Sequence, residues 1–255
     1  MDAWSSILKS IDPENDGSLS TSYGWPNFLY AAEIIRTTCD RWPREDQERF
    51  KRIVTTLVWD ACARAEGKEN NHRSLAANCR LAIAVYGDDQ ARYVAQLKTV
   101  KDQIIAYIYP SGQSLETPRD LHHTQMGLAP LVNAAEIAWH QGTDLFAHGG
   151  LRLLKAAEWH LPFIMADPEA KWPSTLESTR YKYVAAPQKT GDVWPFYEYL
   201  YNHVHNRMGL DAPNILKLLT TGGVRPEGET RVGGWGTLTH ARGDLISQGE
   251  EQRRR

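Results

Sequence analysis

Between Arg44 and Ala65 the apolar residues Phe50, Ile53, Val54, Leu57 and Val58 recur at intervals of three and four, with Glu45, Asp46, Glu48 and Arg52 between them. That spacing gathers the apolar side chains on one stripe and predicts an amphipathic helix over 44–65. The pattern returns in Leu75, Cys79, Ala82, Ile83 and Tyr86, then in Tyr93, Val94, Leu97, Val100, Ile104 and Tyr107, with Gly87, Asp88 and Asp89 as the turn between. Pro110, Ser111 and Gly112 break it. Leu128, Leu131, Val132, Ala135 and Trp139 restore it until Gly142, and a shorter helix covers 151–160. A helix also fits 28–36, with Pro26 placed in its first turn.

After Pro162 the chain becomes rich in Pro, Gly, Trp and Tyr, and only 195–208 and 214–219 have helical spacing. The glycines and proline between Gly222 and Gly236 mark a long loop. No segment shows strand alternation or strand–helix–strand order, which disfavours a sheet-based α/β fold. The expected architecture is all-α: antiparallel helical hairpins followed by a loop-rich C-terminal part.

At 255 residues the chain has the size of one domain, read as residues 1–245 with a charged tail over 246–255. A net charge of -2 and a basic cluster confined to Arg253, Arg254 and Arg255 give no footprint for nucleic acid. The apolar runs are far below the ~20 residues needed to span a bilayer, so no membrane partner is expected. Met1 to Leu8 has neither the basic start nor the apolar run of a secretory signal. Cys39, Cys62 and Cys79 fall in apolar helical patterns and read as buried free thiols, in preference to a Cys39–Cys62 disulfide.

Nine tryptophans and eleven tyrosines are many for this length, and Tyr23, Trp25, Trp172, Trp194 and Trp235 stand beside turn residues. Such rings either cover helix ends or serve as platforms for sugar rings. Three polar clusters carry more hydrogen-bonding capacity than helix termini need. They are Asn70, Asn71, His72 and Arg73; Glu116, Arg119, Asp120, His122, His123, Thr124 and Gln125; and the run from Tyr197 to Arg207. Asn70 or Asn71 suits a helix cap, which leaves the rest unexplained. In the third cluster Tyr197, Tyr201 and His205 share one helical face, and His203 lies on another. The paired histidines raise the question of a metal. Neighbouring helical residues point about 100 degrees apart, and no HExxH motif occurs, so no metal site is expected. A serine or cysteine nucleophile lacks its motif.

The stretches TSYGWPNFLYAAEIIR from Thr21, NNH from Asn70, ETPRDLHHTQMGL from Glu116, AAEIAWHQGTDLF from Ala134, YEYLYNHVHNRMGL from Tyr197, RPEG from Arg225 and GWGTL from Gly234 together resemble the alginate lyase superfamily, polysaccharide lyases with a helical toroid fold. The resemblance implies β-elimination at a uronate glycosidic bond, without a cofactor. Polar groups neutralise the carboxylate and so stabilise the enolate-like charge, a Tyr or His removes the C5 proton, and a Tyr commonly protonates the leaving O4.

Carried over by matching motif, Asn71 and Arg119 bind the carboxylate, His72 assists in neutralising it, and His123 is the leading base or neutraliser. His123 stands where better-known members tend to have a Tyr, which leaves the acid open: Tyr201 is the first choice, with Tyr197, Tyr181 and Tyr183 behind it. Tyr23, Trp25, Gln125, Tyr197 and His203 would line the sugar subsites. Family domains carry several helices before the segment like Thr21 to Arg36, and this chain has about twenty residues there, so an incomplete toroid is expected. The expected partner is an acidic polysaccharide, and the resemblance implies a secreted or periplasmic location. The alternatives are a non-catalytic carbohydrate-binding relative or fragment of such a lyase, and a helical scaffold acting through partners.

Overall fold

The apolar stripes form helices in the computed structural model, which describes residues 1–12, 14, 16–181, 193–221, 232, 234 and 236–241. They are α1 (Asp2–Ile7), α2 (Gly17–Thr38), α3 (Arg44–Ile53), α4 (Trp59–Ala63), α5 (Asn71–Tyr86), α6 (Gln90–Tyr107), α7 (Leu121–His140), α8 (His148–Ile164), α9 (Tyr197–Tyr201), α10 (Pro213–Thr220) and α11 (Gly236–His240). A π-helical turn, Val54–Val58, joins α3 to α4, and a second, Asn202–Arg207, continues α9. Among the described residues there is no strand, only an isolated bridge between Ile108 and Ser114, so the all-α expectation is met. Tyr183, Trp235, the stretch from Arg225 and the tail over 246–255 lie outside the described residues.

The chain forms two compact units, Met1–Gln103 and Ile104–Arg255, divided within α6. In the first, α2 packs against α4 and α5, α4 against α5, and α1 against α3. α2 starts at Gly17, well before the expected boundary, and Pro26 lies inside it rather than in its first turn. The hidden half is explained by its buried stripe. Ser22, Pro26, Leu29 and Ala32 recur at helical spacing, but two of them are not apolar markers. Thr21 and Ser22 can be buried because their hydroxyls donate to the carbonyls of Gly17 and Ser18, at 2.7 and 2.8 Å. On α6 the inward stripe likewise includes the buried Gln96 and Gln103, while Val94 is 56 % exposed.

The cysteine expectation is corrected here. Cys62 of α4 and Cys79 of α5 are joined by a disulfide with their Cα atoms 6.5 Å apart, and Cys39 alone is free. Each cysteine does lie on an apolar helical face. Their pairing follows from the packing of α4 on α5, which helical periodicity within one segment does not encode.

In the second unit α7 packs against α8 and α9, α10 against α8 and α9, and α11 against α9. α8 passes through Pro162 to Ile164, and its regular part starts at Arg152 because Gly149, Gly150 and Leu151 have φ of 63, 71 and 65 degrees. α7 starts at Leu121, so the polar cluster at 122–125 occupies its first turns.

Candidate active site

In the first unit Asn70 caps α5, its side-chain oxygen accepting from the His72 backbone N–H at 3.3 Å. The Gln103 amide braces this turn by donating to the Asn70 carbonyl at 3.3 Å and to the Ser74 hydroxyl at 3.1 Å. Asn71 is buried and His72 half-buried behind this cap. Trp25 is half-buried, with ring centroids 5.4 Å from Phe28 and 6.1 Å from Phe50, and Tyr23 is half-buried two residues earlier.

In the second unit Asp120 performs two tasks at the start of α7. Its Oδ1 accepts the His123 backbone N–H at 2.6 Å, capping the helix, and its Oδ2 faces His123 Nδ1 at 2.7 Å. A carboxylate there accepts from Nδ1–H, which leaves the imidazole lone pair on Nε2. Burial alone would push the Asp120 carboxyl up, but the two hydrogen bonds from His123, with the charges of His123 and Arg119, hold it below the usual carboxylate range. The His123 side chain is 28 % exposed, so a ligand can reach the ring.

Arg119 comes from the turn just before the cap. Its guanidinium, 35 % exposed, has Nη1 at 3.5 Å from the carboxylate of the fully buried Glu116. The Tyr181 ring centroid lies 5.6 Å from its Cζ.

A buried polar network fixes this corner from below. The Tyr107 hydroxyl donates to the carbonyls of His123 and Thr124, at 3.1 and 3.3 Å. Its ring can approach because residue 127 is glycine: a Cβ there would overlap the phenol. Burial, and then the Glu116 charge, push the Tyr107 phenol well above its usual range, so it remains a hydrogen-bond donor. The hydroxyls of Ser114, Thr117 and Thr124 form a chain at 3.1 and 3.2 Å that ends on His160 Nε2, 2.7 Å from Thr117. His160 Nδ1 donates to the Ala156 carbonyl, and burial holds this histidine neutral, its pKa lowered to about 4.

Gln125 and Tyr197 are brought together, both fully buried: Gln125 Oε1 accepts from the Tyr197 hydroxyl at 3.3 Å and from the Trp194 backbone N–H at 3.0 Å. Tyr201 is 2 % exposed, stacked on His205. His203 is buried against Phe146 and Trp139. Its Nδ1 accepts from Arg207 at 3.1 Å and its Nε2 faces Asp144 at 3.4 Å. Arg207 also makes a bidentate pair with Glu136, at 3.1 and 3.2 Å. Burial would raise the Glu136 carboxyl, but hydrogen bonds from His240 and Arg207 bring it to about 2. Among the described residues no group of three or more His, Cys, Asp or Glu side chains is placed to hold a metal ion.

A family model described as alginate lyase matches residues 13–172, well over half of the chain. The chain belongs to the alginate lyase family. No curated protein and no solved structure matches it in the corresponding comparisons. The matched segment contains Tyr23, Trp25, Asn71, His72, Arg119, His123 and Gln125, whereas Tyr181, Tyr197, Tyr201 and His203 follow it. Membership makes the chain a polysaccharide lyase at the family level. It does not by itself single out Asp120, Glu116 or His160. Asp120 had a readable signal, an acidic residue three positions before a histidine at a helix start, which is the reach of a capping side chain. His160 had none, since its partner Thr117 is distant in sequence.

Proposed function

We propose that this alginate lyase family member cleaves a uronate-containing polysaccharide by β-elimination, with His123 as the base. The observation that carries the reading is the Asp120–His123 pair beside Arg119, at a capped and internally braced helix start within the family match. The C5 proton of a uronate is weakly acidic while the carboxylate keeps its charge. A guanidinium against that carboxylate lowers the cost of the enolate-like charge, and a base oriented by a second group is positioned to take the proton.

In this reading Arg119 binds the carboxylate and His123 Nε2 removes the C5 proton. Asp120 stabilises the imidazolium that results, and its hydrogen bond keeps the ring in one tautomer. Asn71 and His72 retain the carboxylate-neutralising role, and Tyr23 and Trp25 the sugar-contact role, that their motifs imply. Gln125, Tyr197 and His203 act by positioning, being buried and engaged with other protein groups. A secreted or periplasmic location is supported by the Cys62–Cys79 disulfide, since such bonds persist in oxidising compartments. No helix among the described residues is long and apolar enough to cross a membrane.

The test is to incubate the full chain with polymannuronate, polyguluronate and glucuronan, following ultraviolet absorbance and reducing ends together. Elimination makes both rise in step, because each cleavage creates one C4–C5 double bond and one reducing end. Reducing ends without absorbance would mean hydrolysis. Neither signal, with polymer still bound, would favour a non-catalytic sugar-binding relative.

A further inference from the structure

We propose that His160 is a positioning residue for the site: its Nε2 directs a chain of buried hydroxyls that holds the Arg119 turn against the first turn of α7, where His123 stands. The inference rests on the lyase reading above. One carbonyl sets the direction of the chain. His160 Nδ1 lies 2.7 Å from the Ala156 oxygen, which can only accept, so the ring proton is on Nδ1 and Nε2 carries a lone pair. Thr117, 2.7 Å from Nε2, then donates its hydroxyl proton to the ring. Its oxygen is left to accept, from the Ser114 backbone N–H at 2.7 Å and the Ser114 hydroxyl at 3.1 Å. Ser114 Oγ accepts in turn from the Glu116 backbone N–H and from the Thr124 hydroxyl, both at 3.2 Å.

In this direction Thr117 and Ser114 each use their one proton and both lone pairs. A proton on Nε2 would reverse the hydroxyls and set a bare Nδ1 lone pair against the Ala156 oxygen. Ser114, Thr117, Thr124 and His160 are all fully buried, so bulk solvent does not replace a lost partner.

The chain joins three elements. His160 belongs to α8, Ser114 and Thr117 to the turn that leads to Arg119, and Thr124 to α7. The turn is closed on itself, the Thr117 N–H donating to the Ser114 carbonyl at 3.1 Å and the Arg119 N–H to the Glu116 carbonyl at 2.8 Å. A shift of Ser114 is therefore passed on to Arg119. Gly112 seats the same loop on α8: its φ is 98 degrees, and a Cβ there would come within 2.5 Å of the Lys155 carbonyl oxygen. Arg119 answers a charge that grows during the reaction, so its place relative to the base matters more at the transition state than in the ground state. Slack in the turn should lower kcat and leave KM nearly unchanged.

Two measurements on the full chain test this. Long-range 1H–15N spectra show which ring nitrogen carries the proton, with His160 assigned by the signals lost in His160→Gln. The expected form is Nδ1–H at neutral pH, and a proton on Nε2 would overturn the direction of the chain. The second measurement is kcat and KM on the polymer that wild type cleaves best, corrected for the folded fraction of each variant. His160→Gln sets an amide oxygen where Nε2 accepts, whereas His160→Asn keeps a donor for Ala156 and has nothing to reach Thr117. Thr117→Val removes the hydroxyl, and Thr117→Ser restores it. His160→Asn and Thr117→Val should each lose about 10²-fold in kcat with KM within a few fold, while His160→Gln and Thr117→Ser stay within about fivefold of wild type. A purely structural His160 would lower the folded fraction and not the kcat of folded molecules. That result, or equal losses in His160→Gln and His160→Asn, would overturn the positioning role and leave the lyase reading intact. A wild-type chain that forms no unsaturated product would overturn both, whatever the tautomer.

Discussion

Opening the Cys62–Cys79 disulfide perturbs the first unit without changing the volume of either buried side chain. The bond closes a loop with a sequence separation of 17. For a loop of that size, restricting the unfolded chain contributes roughly 10 cal/mol/K, about 3 kcal/mol at 25 °C in the chain-entropy account. With a urea dependence of about 1–3 kcal/mol per molar, reduction should lower the unfolding midpoint by about 1–3 M. The assay is urea unfolding at neutral pH with and without reductant, followed by tryptophan fluorescence, the shift falling on the transition of residues 1–103. Thiol titration in denaturant supplies the stoichiometry. Of the three cysteines one, Cys39, should react before reduction and all three after it. Three reactive thiols in the unreduced chain, or equal midpoints in the two conditions, would refute the reasoning.

Asp120→Asn keeps a good helix cap while removing the charge against His123 Nδ1, so it should change stability by about 0.5 kcal/mol or less and lower kcat by about 10²-fold; thermal unfolding beside initial rates checks the split. The native Asp120 carboxyl lies below its unfolded value, so its contribution is present above the unfolded value and is lost as pH falls through the folded one. The variant should lose this part of the acid limb in urea midpoints taken across that range. His160 has the same pH direction for a different reason: it is buried neutral, and the unfolded chain takes up a proton first as pH falls. Between about 6.5 and about 4 the chain should lose about 3 kcal/mol through this group, and His160→Gln should flatten that slope in the same titration. Gln125→Ala strands two buried donors, the Trp194 N–H and the Tyr197 hydroxyl, and should cost about 2–4 kcal/mol in chemical denaturation; a loss under about 1 kcal/mol would mean that the bracket is dispensable.

The helices were readable wherever burial and apolarity coincide, as in Leu75, Cys79, Ile83 and Tyr86 of α5. They were missed where the buried face is small or polar: Thr21, Ser22 and Pro26 hold α2 against its neighbours without an apolar signal. The same ambiguity governs the site. Density of polar residues at 116–125 suggests a site and falls at the start of α7, but a linear sequence does not distinguish a side chain turned to solvent from one spent inside. His123 and Arg119 reach the surface, Glu116 and Gln125 are fully enclosed, and all four looked alike as sequence. Tyrosines pose the problem most sharply. Tyr201 lies in a well-marked motif yet is packed on His205, while Tyr181, in a stretch with no helical pattern, is carried to Arg119 by Ser178 and Glu177 binding a turn more than sixty residues earlier.

The proposed elimination depends most directly on His123 as the base. The deciding measurement is the initial rate of conjugated-uronate absorbance for wild type and His123→Ala on the polymer that wild type cleaves best, with binding of the same polymer measured in parallel. The expected result is a loss of at least ~10² in rate with binding kept within a few fold. A His123→Ala protein that forms the unsaturated product within a few fold of the wild-type rate would contradict it.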